Sequence, residues 1–118
     1  MGTINLARDH YLFANEYNGY NAELNYKIGI CYLLGDEKRK AISFLLKAYE
    51  LKPDVSHEVR LLIGRAYHLN EEFDKAIRFY KEYKADLSMD EDIVSVTNEI
   101  DHIIIQCNHG KTLVGNPK

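Results

Sequence analysis

Asn25-Tyr-Lys-Ile28-Gly29-Ile-Cys-Tyr32 and Arg60-Leu-Leu-Ile63-Gly64-Arg-Ala-Tyr67 decide the fold, because they are one pattern written twice, 35 residues apart. Each sets Ile-Gly three residues ahead of a tyrosine, and each is followed at the same distance by a small residue, Ala41 or Ala76. The first copy continues through Leu45, Ala48 and Pro53, the second through Tyr80 and Tyr83. A half-copy comes earlier: Ala7, Tyr11 and Ala14 precede Ala41, Leu45 and Ala48 by 34 residues. A period in this range, with apolar residues at helical spacing, marks stacked helix–turn–helix units. Glycine inside a helix costs about 1 kcal/mol relative to alanine, so Gly29 and Gly64 need a packing reason, and close approach of a partner helix supplies one. Ala41, Ala48 and Ala76 are the small faces such a partner presents. Tyr32, Leu45, Tyr67 and Tyr80 fill the volume between helices, and Pro53 follows a helix it could not continue.

Working outward, periodicity and capping residues predict six helices, over about Thr3–Tyr17, Asn21–Leu34, Glu37–Leu51, Ser56–Leu69, Phe73–Ala85 and Asp90–Asn108. Asn21, Asp36, Ser56 and Asn70 stand at expected N-caps. Ser88-x-x-Glu91 reads as a capping box, with Asp90 and Asp92 well placed on the helix dipole. Gly110 is the expected C-cap. The last helix breaks the pattern: Glu99 stands one period beyond Gly64, and Ser88 stands where a proline would match Pro53. Its stripe Ile93, Val96, Ile100, Ile103 and Cys107 makes it a cap with a solvated outer face. The division is therefore a repeat domain over 1–109 and a linker over 110–118 leading toward a further domain.

The composition agrees. A chain of 118 residues with 46% hydrophobic content supports one domain with a real core, and only 7 glycines and 2 prolines favour helices over strands and turns. A net charge of −3 gives no basic nucleic-acid footprint. No stretch of 18 apolar residues offers a transmembrane helix, and Met1 to Ala14 lacks the basic start and apolar core of a signal peptide. That absence would point to the cytoplasm in a free-standing chain; in an excised domain it does not. Cys31 and Cys107 lie far apart among apolar residues, where free thiols behave as small hydrophobes.

The two copies and the half-copy resemble tetratricopeptide repeats over Ala7 to about Ala85. The resemblance implies an all-α solenoid of about six antiparallel helices: two full repeats, a leading half-repeat and a C-terminal capping helix. It implies that the first helix of each repeat lines a concave groove for a protein or peptide partner. Carried over, the groove displays Glu23, Tyr26, Ile30 and Leu33 from one helix and Glu58, Leu61, Arg65 and His68 from the next. Asn25 and Arg60 depart from the large aromatic common at their position, which weakens local packing. A narrower resemblance lies in Asn21 to Leu33, Lys47 to Pro53, Gly64 to Asn70 and Asn108 to Pro117. These segments resemble Bacteroidetes envelope proteins of the PorE-like kind, associated with type IX secretion, in which the repeats precede a WD-like propeller and an OmpA-like peptidoglycan-binding domain. That resemblance implies a scaffold module of an outer-membrane or periplasmic assembly. The alternatives are a free-standing cytoplasmic adaptor or chaperone cofactor, and the regulatory domain of an enzyme. Chaperone-binding relatives hold a C-terminal carboxylate with a clamp of Lys, Asn and Arg. Here Tyr26, Lys27 and Ile30 occupy three of those positions, with Leu61 and Leu62 in the next helix, so only one cation remains.

Chemistry has little to stand on. His10, His57 and His68 lie far apart, and His102, Cys107 and His109 fall short of the four well-placed ligands of a structural zinc site; no metal and no cofactor is expected. Glu71-Glu72 and Asp90-Glu91-Asp92 are explained by helix starts. No glycine-rich phosphate loop or nucleophile elbow occurs. Tyr32 and Tyr67 read as core, whereas Tyr26, Ile30, Leu33, Leu61 and Leu69 share packing and contact roles. The leading helix lacks its own first-helix partner, so Leu6, Leu12 and Phe13 are expected on an apolar end, which predicts a homodimer through the N-terminal helix or sequence ahead of Met1; the competing reading folds Leu12 and Phe13 back onto Tyr26 and its helix, giving a monomer.

Overall fold

The computed structural model describes residues 2–86 and 93–114, with side-chain surroundings for residues 4–86 and 98–110. Six helices follow in order: α1 Gly2–Tyr17, α2 Ala22–Leu34, α3 Ala41–Leu51 after a 3-10 turn at Lys38–Lys40, α4 Val59–Leu69, α5 Phe73–Ala85 and α6 Ile93–Val114. The most extensive packing is α2 on α3 and α4 on α5, the two repeats; α1 lies on α2, α3 on α4 and α6 on α5. Among the described residues there is no strand.

The packing logic of the repeat is visible atom by atom. A Cβ on Gly29 would stand 2.5 Å from Leu45 Cδ2, and one on Gly64 would stand 2.6 Å from Tyr80 Cε1. Each glycine thus removes the one atom that would hold the second helix away. Ala41, Ala48 and Ala76 are fully buried beside them, with Ile28, Leu45, Ile63 and Tyr80 between the helices. Rings complete the fill: Tyr32 stacks on Phe44 at 5.6 Å, and Tyr67 lies 5.8 Å from Phe79. Both cysteines are buried and free, as expected of small hydrophobes.

Gly110 is a correction of the same kind. It is no C-cap: α6 runs through it to Val114. A Cβ there would lie 2.7 Å from the Phe73 ring, so this glycine too marks a close approach, of α6 onto the start of α5. At the other end of the contact, Lys84 Nζ donates to Asp101 Oδ1 at 2.6 Å. Ile100 and Cys107 are buried and Ile103 half-buried on this seam, while Glu99, His102, Gln106 and His109 face outward. The expected capping box at Ser88 and Glu91, Asp90 and Asp92, and the side chains of Ile93 and Val96, lie outside the described residues.

The turns depart most from expectation. Asn21 does cap α2, its Oδ1 accepting from Leu24 N at 2.9 Å. Asp36 caps nothing; it accepts from Asn5 Nδ2 of α1 at 3.2 Å. Ser56 serves a turn, its Oγ accepting from Glu58 N at 3.1 Å, and α4 starts only at Val59. Asn70 ends α4 rather than opening α5. The reversals instead use left-handed backbone at Glu37 (φ 57°) and Glu71 (φ 62°). That conformation costs a non-glycine residue roughly 1–2 kcal/mol, and no side-chain rule would assign it to glutamate.

Candidate functional site

The repeat places equivalent residues of α2 and α4 side by side, and these form the candidate contact surface. Glu23, Glu58 and Arg65 are exposed; Tyr26, Ile30, Leu33, Leu61 and His68 are half-buried. Tyr26, Leu33 and Leu61 also pack against the core, so each gives the surface one face and the interior another. Tyr26 ties the two repeats together: its hydroxyl donates to Ser56 Oγ at 2.8 Å, just ahead of α4. Leu69, a residue expected to share packing and contact, is 45% exposed, like Leu34 one repeat earlier at 59%. Tyr32 and Tyr67 are core, as read from the repeat.

Two of the eight carried-over residues sit differently from the rest. Ile30 faces α1: with Tyr11, Cys31 and Leu34 it walls a hollow between α1 and α2, away from the α4 members. His68 turns toward α5. Its Nδ1 lies 3.4 Å from the Tyr80 hydroxyl and its ring meets the edge of Phe73 at 5.6 Å. Burial depresses its pKa below the ordinary histidine value, since a charged imidazolium loses hydration there. Lys27, the single cation of the would-be carboxylate clamp, lies 5.9 Å from the Tyr11 ring centroid.

Electrostatics around α4 are local. Burial raises the Tyr83 hydroxyl pKa; the Glu58 carboxylate adds to the rise and the Arg65 guanidinium opposes it. The three groups therefore form one small mixed-charge cluster at the edge of the surface. The Tyr80 hydroxyl is raised much further, chiefly by burial, and burial pushes the Cys107 thiol up to about 11. Both are inert interior groups at neutral pH. Among the described residues, no group of three or more His, Cys, Asp or Glu side chains comes together as a metal site.

The residues that sequence reasoning missed are the two departures from the repeat pattern. Asn25 is only 3% exposed, and its Nδ2 donates to Gly19 O at 3.0 Å and Asn21 O at 2.9 Å, tying the α1–α2 loop to α2. Arg60 pairs with Asp86 at the end of α5. The expected weakening of packing is thus offset by polar ties. The available signal was a polar residue where the pattern wants bulk, which calls for a nearby partner when buried.

Helix–turn–helix pairs stacked one on the next, with the first helices aligned on one face, define an α-solenoid repeat module. The tetratricopeptide repeat profile matches residues 22–55 and 57–84, more than half of the chain, and the chain belongs to the tetratricopeptide repeat family. Comparison with curated proteins gave no match. Tetratricopeptide repeats generally mediate protein–protein interaction and are typically non-enzymatic, binding protein or peptide partners.

Proposed function

We propose that the chain is a noncatalytic scaffold module of a larger outer-membrane or periplasmic assembly protein. It takes an apolar or mixed peptide, or a neighbouring domain of the same protein, on the surface shared by α2 and α4. The observation that carries the reading is a repetition of residues that reach the surface: exposed Glu23 and half-buried Tyr26 on α2 are answered 35 residues later by exposed Glu58, just ahead of α4, and half-buried Leu61 on α4. Half-buried apolar side chains flanked by charge suit side-chain burial of an extended or helical segment. Arg65 and Glu58 supply one handle of each sign. The envelope setting is supported by the sequence resemblance over Asn21 to Leu33 and Asn108 to Pro117, and the periplasmic side of the outer membrane is the compartment that follows from it.

Photo-crosslinkers at Glu23 and Glu58, tested against one at Lys81 on the exposed side of α5, check the contact surface in cells. Capture of one polypeptide from positions 23 and 58, and not from 81, is the expected result. Equal capture from all three, or from none, removes the surface as the contact. The envelope assignment is checked separately, by whether the genomic reading frame continues past Lys118 into a propeller.

A further inference from the structure

The turn between α1 and α2 carries a reactive pair that the repeat does not use. Asn18 is followed by Gly19, the one place in the chain where an asparagine precedes a glycine. The carboxamide of an asparagine is open to attack by the backbone nitrogen of the next residue, and a glycine there has no Cβ to restrict the ring that forms. Within a helix the hydrogen-bond ladder holds that nitrogen away. Here α1 has ended at Tyr17 and α2 begins only at Ala22. Asn18 is exposed, and Gly19 N–H finds no backbone acceptor among the described residues. Asn18 Oδ1 accepts from Tyr20 N at 3.3 Å, which folds the carboxamide toward the Gly19 peptide. The same bond puts a donor on the oxygen where negative charge develops when Cγ is attacked.

Asn21, three residues on, is the contrast within the same turn. It is exposed as well, but Ala22 follows it, and its Oδ1 is held by Leu24 N at 2.9 Å as the cap of α2. What the turn holds gives a reaction at Asn18 a consequence. Gly19 O accepts from Nδ2 of the buried Asn25 at 3.0 Å. The other acceptor of that Nδ2, Asn21 O, caps α2 itself. The bond to Gly19 is therefore the one by which Asn25 holds the chain arriving from α1.

We propose that Asn18 is a self-modifying site, converting to aspartate and isoaspartate, and that the isoaspartate form loosens α1 on α2. Gly19 N bonds to Asn18 Cγ. The Cγ–Nδ2 bond breaks, and Nδ2 leaves as ammonia with the proton given up by Gly19 N. Water then opens the five-membered ring. Attack at Cγ restores the ordinary main chain as aspartate. Attack at the main-chain carbonyl of residue 18 routes the chain through the side chain as isoaspartate, one methylene longer. Both products carry a carboxylate where the chain had a neutral amide. The longer one also moves Gly19 O away from Asn25, leaving a buried donor short of an acceptor. The inference is independent of the α2–α4 contact surface.

The test holds the full chain in warm, mildly alkaline buffer and maps its peptides by mass spectrometry over time. Asn18 should gain the mass of an amide-to-acid change before any other asparagine, with isoaspartate read separately by enzymatic methylation. A synthetic peptide of residues 15–22 gives the rate without the fold, and the folded chain should match or exceed it. Gly19→Ala should slow conversion at least about tenfold. That variant keeps the fold, because Gly19 has no positive φ and a Cβ there would meet nothing nearer than Asn15 O at 3.7 Å. Amide hydrogen exchange should quicken on α1 and at Asn25 in the isoaspartate fraction, and not in Asn18→Asp, which adds the charge without the methylene. Three results would overturn the site: conversion at Asn21 as fast as at Asn18, protection of Asn18 in the folded chain relative to the peptide, or an unchanged rate in Gly19→Ala. Equal exchange on α1 in the isoaspartate fraction and in Asn18→Asp would overturn its effect.

Discussion

Tyr80 and Tyr11 hold the same place in the repeat, two periods apart, and meet opposite fates. Tyr80 is fully buried, pressed on Gly64 and bridged to His68. Tyr11 packs on one side only and borders an open hollow on the other. The surroundings differ in kind as well as amount. The α4–α5 seam is closed by Ile63, Ala66, Tyr67 and Phe79, all buried. The α1 helix contributes Asn5 Oδ1 and Asn15 Nδ2 as buried polar atoms without a partner among the described residues, against Asn70 Oδ1 alone at the α4–α5 turn. What the difference teaches is that a repeat residue acquires its energy from the neighbouring helix. Where no first helix packs on it among the described residues, the same pattern yields a surface instead of a core.

The sharpest test of that contrast is truncation at the two equivalent sites. Tyr80→Ala should cost about 3–5 kcal/mol, as for other buried aromatics, whereas Tyr11→Ala should cost roughly 1 kcal/mol, because it gives up only one-sided packing. Urea unfolding monitored by circular dichroism reads both, and equal losses would break the comparison. Next in size is Gly64→Ala. The added methyl meets the Tyr80 ring inside van der Waals contact, an overpacking loss of about 1–3 kcal/mol, against a helix-propensity gain of about 1 kcal/mol. A net destabilisation in the same assay is expected, and a net gain would mean that the ring moves aside freely.

Smaller effects lie in the turns and in titration. Glu71→Gly should stabilise by about 1 kcal/mol, by relieving left-handed backbone at a non-glycine residue. Glu37→Gly should gain less, because the Glu37 carboxylate holds Lys40 at 3.0 Å and Arg8 at 3.6 Å. A thermal melt of each variant separates them. The smallest effect concerns His68. Its folded-state pKa lies below the unfolded value near 6.5, so the unfolded chain binds more protons between the two. Stability is therefore complete above about pH 6.5 and declines as pH falls from there toward the lower folded value. The decline should vanish in His68→Gln, and a slope unchanged by that variant would place the proton elsewhere.

The sequence by itself determined the repeat, the helix pairs and the core. Gly29, Gly64, Ala41, Ala48 and Ala76 announce close approach through size alone, and Ile28, Leu45, Ile63 and Tyr80 supply the matching volumes at helical spacing. The exposure of Leu6 and Phe13 was likewise legible, because a half-repeat leaves a second helix without its first. Leu12 and Phe13 part company: Leu12 packs back against the core, as the competing reading had it, while Phe13 stays exposed. Only the tertiary structure decided the turns, since the left-handed conformation falls on Glu37 and Glu71 through the path the chain must take between helices. It alone turned Gly110 from a helix end into a contact with Phe73, and Asn25 and Arg60 from weak points into ties to Gly19 and Asp86. It also drew Ile30 out of the shared surface and into the hollow beside α1. In each case the deciding partner lies on another helix or in another loop, and periodicity within one segment carries no information about which neighbour a side chain meets.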